Sequence, residues 1–190
     1  GWIAGMQLAA LSLQKQENSK QFLATFTGNH RYIVDYLAEE VLNGQSEHIR
    51  SFLLSTSLLE RLTGPLCDAV LAQSGSHATL QSLEQANLFI VPLDEQRQWY
   101  RYHHLFREFL RNHLSQQSPE QTSALHHRAA QWYERNGFID DAVHHLFACA
   151  DFYQAACIVE RHSDAFMKRG QITTLLRWMQ GLPDKLLRSN

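Results

Sequence analysis

The sequence predicts a mainly α chain, interrupted once by a β-hairpin and closing in paired helices. Three observations carry that prediction. Apolar residues recur at helical spacing between recognisable caps through most of the 190 residues. The period changes to two only once, over 88–104. Gly137 and Gly170 stand 33 residues apart, each between an aromatic-bearing helix and another helix.

Residues 2–14 have helix composition, with apolar side chains on most sides. The stretch is too short to span a bilayer, is broken by Gln7, and lacks the basic leader of a signal peptide. It reads as a core helix. The chain does not begin with Met, so it reads as a fragment or a processed chain. Asn29 is a natural N-cap for "HRYIVDYLAEEVLN", and Gly44 a C-cap. Ser46 caps the next helix, in which Ile49, Phe52, Leu53 and Thr56 share a face. Pro65 sits where a first-turn proline is tolerated, opening the short helix "PLCDAVLA". After "SGS" comes "HATLQSLEQAN", with Leu80, Leu83 and Ala86 on one face.

"LFIVPLD" and "WYRYH" then read as the two strands of a hairpin around the polar turn "EQRQ". Trp99, Arg101 and His103 fall on one side, Tyr100 and Tyr102 on the other. Pro92 makes its strand an edge. Helix, helix, helix, hairpin over 46–104 is the order of a winged-helix module. "HLFREFLRNHL" returns to helix with a stripe of Leu105, Phe106, Phe109, Leu110 and Leu114. Ser118, Pro119 and Gln121 form an N-cap, a proline at N1 and a capping-box residue for a helix over 119–135, and Asp151 with Gln154 forms a second box. The 33-residue spacing matches helical hairpins of tetratricopeptide (TPR) type, expected to belong to a longer array. The domains expected are a helical linker at 1–45, a winged helix at 46–116 and TPR-like hairpins at 117–190.

Composition narrows the function. Hydrophobic residues make up 44% and charged residues 19%, with a formal net charge of −2, as in an ordinary globular protein. Cys67, Cys149 and Cys157 form no C-x-x-C and no disulfide framework, which fits a reducing, cytoplasmic compartment. No G-x-x-x-x-G-K-[ST], G-x-G-x-x-G, G-x-S-x-G or H-E-x-x-H occurs, so no catalysis is expected of this chain alone. The winged-helix order invites DNA binding. Yet "HATLQSLEQAN", which would enter the groove, has no Arg or Lys, and 46–116 holds six Arg, no Lys and seven acids. Phosphate contacts need the opposite balance, so packing against another domain or protein fits better.

Three adjacent histidine pairs stand out: His103/His104, His126/His127 and His144/His145. Helical neighbours point about 100° apart, so adjacent histidines do not converge on a metal. The latter two pairs read as exposed or half-buried polar residues, and no metal is expected. His103 and His104 differ, because they lie where a strand gives way to a helix. A helix start carries unpaired N–H groups and partial positive charge, which favour an anion. A histidine there can donate a ring N–H to a phosphate; the alternative is a hydrogen-bonded, partly buried side chain without ligand.

"GNHRYIVDYLAEEVL", "FLLSTSLLERLTGPLCDAVL", "LEQANLFIVPLD", "WYRYHHLFREFL" and "AAQWYERNGFIDDAVHHLFACADF" together resemble the large ATP-binding regulators of the LuxR family, over the whole chain. These regulators are similar to other signal-transduction ATPases with numerous domains. The latter carry a Met-His-Asp motif at the winged helix, whose His contacts the β-phosphate of ADP. By that resemblance "YHHLF" places His103 at the contacting position, with Tyr102 for the Met and His104 for the Asp. "GWIAG" resembles a Gly-x-Pro sensor segment, lacking its Pro, and places Trp2 near the nucleotide base.

The resemblance implies a full-length protein that is a slow signalling ATPase using ATP or ADP with Mg. It would be closed with ADP, and self-associating once ATP and an inducer open it. A separate LuxR-type domain would then bind promoter DNA. This chain would be the relay between those parts, with no cofactor, nucleic acid or membrane contact of its own. The rival expectation is a stand-alone winged-helix and helical-repeat scaffold with no nucleotide.

Overall fold

Two of the described helices start at side chains, Ser46 and Asp151, that take up an orphan N–H of the first turn. The computed structural model describes residues 39, 41–116, 119–183 and 185. They fall into two compact units, one from 1–67 and 73–117, the other from 68–72 and 118–190. The expected helix at 2–14, the Asn29 cap, the Ser118 cap and Trp2 lie outside the described residues.

In the first unit, the helical residues 41–43 end at Gly44, where the Gln45 N–H donates to the Leu42 carbonyl at 3.1 Å. Ser46 then caps α1 (Glu47–Thr56), its hydroxyl accepting from the Ile49 N–H. There follow α2 (Gly64–Leu71), whose residues from 68 on group with the second unit, α3 (Ser76–Gln85), β1 (Ile90–Pro92), β2 (Tyr100–Tyr102) and α4 (His104–Ser115). The strands are antiparallel in the register Ile90↔Tyr102, Val91↔Arg101, Pro92↔Tyr100. Leu62 pairs with Tyr100 on the other side of β2, exchanging two backbone hydrogen bonds of 2.8 Å. Pro92 is therefore on an edge strand, where its missing N–H costs no ladder bond. Asp94 closes the turn, its carboxylate accepting from the N–H groups of Gln98 and Trp99. This is a winged helix.

The alternation of "WYRYH" is realised: Tyr100 and Tyr102 are buried, Arg101 is exposed, and Trp99 and His103 lie between. The face expected on α1 is too narrow. Phe52 to Thr56 are all buried, and Ile49 only half so. The last turn of α1 runs into the middle of the unit, where Leu58, Leu59 and Leu62 follow it and the Tyr102 hydroxyl meets Thr56 Oγ1 at 2.7 Å. Ala86 is exposed rather than packed, because α3 ends there and Asn87 turns the chain away at φ +53.

The second unit repeats itself. Its helices are α5 (Pro119–Arg135), α6 (Ile139–Ala148), α7 (Phe152–Lys168) and α8 (Ile172–Gly181). The longer helices are both 17 residues and the shorter both 10, each pair offset by 33. Between them the Gly137 N–H donates to Glu134 and that of Phe138 to Tyr133. Thirty-three residues on, Gly170 donates to Met167 and Gln171 to Phe166. Both glycines are left-handed, at φ +81 and +72, as the helix-ending motif requires. Asp151 caps α7, accepting from the Gln154 N–H at 3.0 Å. These are two TPR-like hairpins.

Candidate functional site

β2 ends and α4 begins at one residue, His103. Its backbone is extended, at φ −58 and ψ 134, and it is the N-cap of α4. Its N–H donates to the Phe89 carbonyl at 2.7 Å, and its carbonyl accepts from Arg107, so both backbone groups are used. The side chain caps nothing, and its Nδ1 is buried with no hydrogen-bond partner among the described residues. The ring lies 4.6 Å from that of His104, which is exposed. No acidic side chain stands in the first turn of α4. An uncapped helix start with an orphaned imidazole nitrogen can hold an anion's oxygen.

Burial holds the His103 imidazole below its ordinary pKa, with His104 and Arg101 adding to the effect. The ring is therefore neutral at pH 7 and offers a hydrogen-bond donor without a buried charge. Its folded pKa is depressed, so the unfolded chain binds the proton more readily. The stability this group contributes is present above about pH 6.5 and declines as pH falls through that range. The urea midpoint of the chain is expected to fall from pH 7.5 to 5.5, and His103→Gln to make that fall smaller. An identical fall in the variant would contradict the assignment.

The resemblance put Tyr102 and His104 at the flanking positions of the motif. Tyr102 is core: its hydroxyl bonds to Thr56, and burial raises its pKa. His104 lies with Arg107, Glu108 and Arg111 along an open groove on α4. Arg107 is engaged, making a two-pronged ion pair with Glu60 at 2.5 and 2.6 Å.

The other two histidine pairs split between inside and outside, which corrects their reading as exposed or half-buried. His144 is exposed and His127 half-buried, whereas His126 and His145 are buried and joined Nδ1 to Nδ1 at 2.9 Å. Helical neighbours diverge by 100°, so one of each pair turns into the hairpin. The 33-residue offset offered a signal: it aligns His126 with Val159 and His145 with Trp178, both core positions. His127 Nε2 lies 3.8 Å from Cys149 Sγ and 3.6 Å from Asp151. This is no nucleophile–base–acid relay, because thiol and carboxylate approach the same ring nitrogen and burial pushes the Cys149 thiol up. Among the described residues no group of three His, Cys, Asp or Glu is placed to hold a metal, and no helix is long and apolar enough to cross a membrane.

Residues 38–122 match the family described as MalT winged helix domain. The serine/threonine-protein kinase PknK of Mycobacterium tuberculosis H37Rv is 33% identical over 187 residues, 98% of this chain and 17% of that protein. The HTH-type transcriptional regulator MalT of Klebsiella pneumoniae MGH 78578 is 31% identical over 185 residues, 96% of this chain and 20% of its own length. MalT of Yersinia pestis Pestoides F is 30% identical over 192 residues, 100% of this chain and 21% of its own. The chain thus spans about a fifth of the length of the curated relatives it matches.

Proposed function

We propose, on the premise that this chain belongs to the MalT family through its winged helix at 38–122, that it is the regulatory relay of a larger ATP-dependent, LuxR-type transcriptional activator. Its domains in that reading are a linker at 1–45, the winged helix at 46–116 and the first hairpins of a repeat at 117–190. His103 is the residue that reads the nucleotide state. The observation that carries this is its orphaned Nδ1 at the uncapped start of α4. ADP, bound by a nucleotide domain of the parent, would supply β-phosphate oxygens as acceptors. The neutral His103 ring donates to one of them while its backbone stays fixed by Phe89 and Arg107. A contact made only in the closed state biases the protein toward that state. Promoter DNA, inducer and self-association belong to other parts of such a cytoplasmic parent, and Trp2 is the second proposed nucleotide contact.

His103→Ala in the intact parent is expected to weaken ADP retention about tenfold, the loss of one hydrogen bond to a charged group, and to raise basal transcription. Unchanged ADP affinity together with unchanged basal output would overturn the proposal. The similarity to PknK supports a second reading of the output alone, in which the same relay serves a kinase rather than a DNA-binding domain. A reading frame with no Walker A motif upstream would instead favour the nucleotide-free scaffold.

A further inference from the structure

We propose that α2 serves twice, as a helix of the winged helix and as the cap of the first helical hairpin, with Arg128 as the clamp that makes the two lose structure together. The helix divides its residues. Those from 64 to 67 group with the winged helix, and those from 68 on with the hairpins. Its start is pinned to α3: a Cβ at Gly64 would lie 2.8 Å from the Cβ of His77, so the approach needs a glycine. Leu66 and Cys67, next along, are wholly buried.

The other end is held differently. The last four carbonyls of a helix have no N–H of their own helix to accept from, and α2 stops at Ala72, which is left-handed at φ +53. α5 supplies a donor: Arg128 Nη1 bonds to the Val70 carbonyl at 3.1 Å, and Val70 itself is wholly buried. A guanidinium there also meets the negative end of the helix dipole. The Arg128 residue is otherwise exposed, so truncating it removes the clamp without opening a core.

The repeat identifies what this contact is. Thirty-three residues after Arg128 stands Arg161 of α7, and it pairs with Glu134 of α5. Val70 and Glu134 are each the last residue but one of their helices. α2 thus gives α5 what α5 gives α7, the end of an earlier helix for the same arginine to hold. Helical repeats are stabilised by their neighbours, and a terminal one needs a cap. α2 is about two turns long, a rigid piece short enough for a shift at its start to reach its end. The proposed relay gains a mechanical link in this way. That link uses no nucleotide, so its test is separate from that of His103.

The test perturbs the winged helix and reads the hairpin in the 190-residue chain. Phe106→Ala is expected to speed hydrogen exchange of the amides in 119–148 about tenfold, because their opening then includes loss of the cap. Adding Arg128→Ala should cut that response to about twofold, since the end of α2 can part from α5 while the hairpin stays closed. Arg161→Ala is the control, the same residue type at the same place in the repeat with no bond to α2; it should leave the response whole. If Phe106→Ala leaves the winged helix unfolded, Phe106→Leu makes the same comparison with a smaller perturbation. Exchange in 119–148 that ignores both Phe106 variants would overturn the proposal. So would a response that survives Arg128→Ala, or one that Arg161→Ala removes equally.

Discussion

Phe106→Ala is expected to lower the unfolding free energy of the winged helix by about 3–5 kcal/mol, the range for truncating a buried aromatic side chain. Phe106 is 1% exposed. Its ring lies 5.1 Å from Phe89, 6.1 Å edge-on from Tyr102 and 6.5 Å from Phe109. It thereby joins the entry to β1, the exit from β2 and the body of α4. Alanine removes three ring contacts at once and leaves a void that the left-handed backbone of Phe89, at φ +55, is poorly placed to fill. A domain of this size has about 5–15 kcal/mol in all, so the variant gives up a large share. The same change loosens His103, whose N–H is held by the Phe89 carbonyl. Arg107→Ala, which breaks an ion pair with the exposed Glu60, should cost about 1 kcal/mol or less. Urea unfolding of both variants measures the contrast; equal losses would mean that the ring is not the organising contact.

What was legible in the sequence was local. Ser46, Asp151, Gly137 and Gly170 act on backbone groups within five residues of themselves, so their types alone announce helix ends. The hairpin was legible for the same reason: a change of period over 88–104 around the polar turn at 95–98 needs no knowledge of distant residues, although the closing role of Asp94 was not read. Burial decided by distant partners was not. Ser55 falls outside the face read on α1 yet is buried, and Thr56, which lies on that face, meets a tyrosine 46 residues away that its type does not announce. The candidate site divides in the same way. That His103 lies at a strand-to-helix junction followed from order and period, whereas the orphaned Nδ1 depends on what packs around the ring.

The buried bridge between His126 and His145 is expected to show coupling of about 1–3 kcal/mol in a double-mutant cycle. The second hairpin places Val159 and Trp178 at the equivalent positions, both buried, so the repeat core tolerates an apolar pair there. The first hairpin instead holds two imidazoles with their Nδ1 atoms 2.9 Å apart, and the ring of His145 stacks on Tyr133 at 5.4 Å and 17°. An N–H···N bond between neutral rings needs one nitrogen protonated and the other bare, so each ring fixes the tautomer of its neighbour. His126→Val or His145→Phe alone takes away one end of that bond. Each should therefore cost about 1–3 kcal/mol, the desolvation of a polar group that has lost its bond. Changing both removes the polar requirement together with the bridge, and should cost much less than the sum, because matched apolar groups can replace a buried polar pair at little loss. Thermal or urea unfolding of the four proteins reads the cycle directly. Strict additivity would mean that the close approach of the two rings contributes nothing, and that the first hairpin packs them as it would any two side chains of their size.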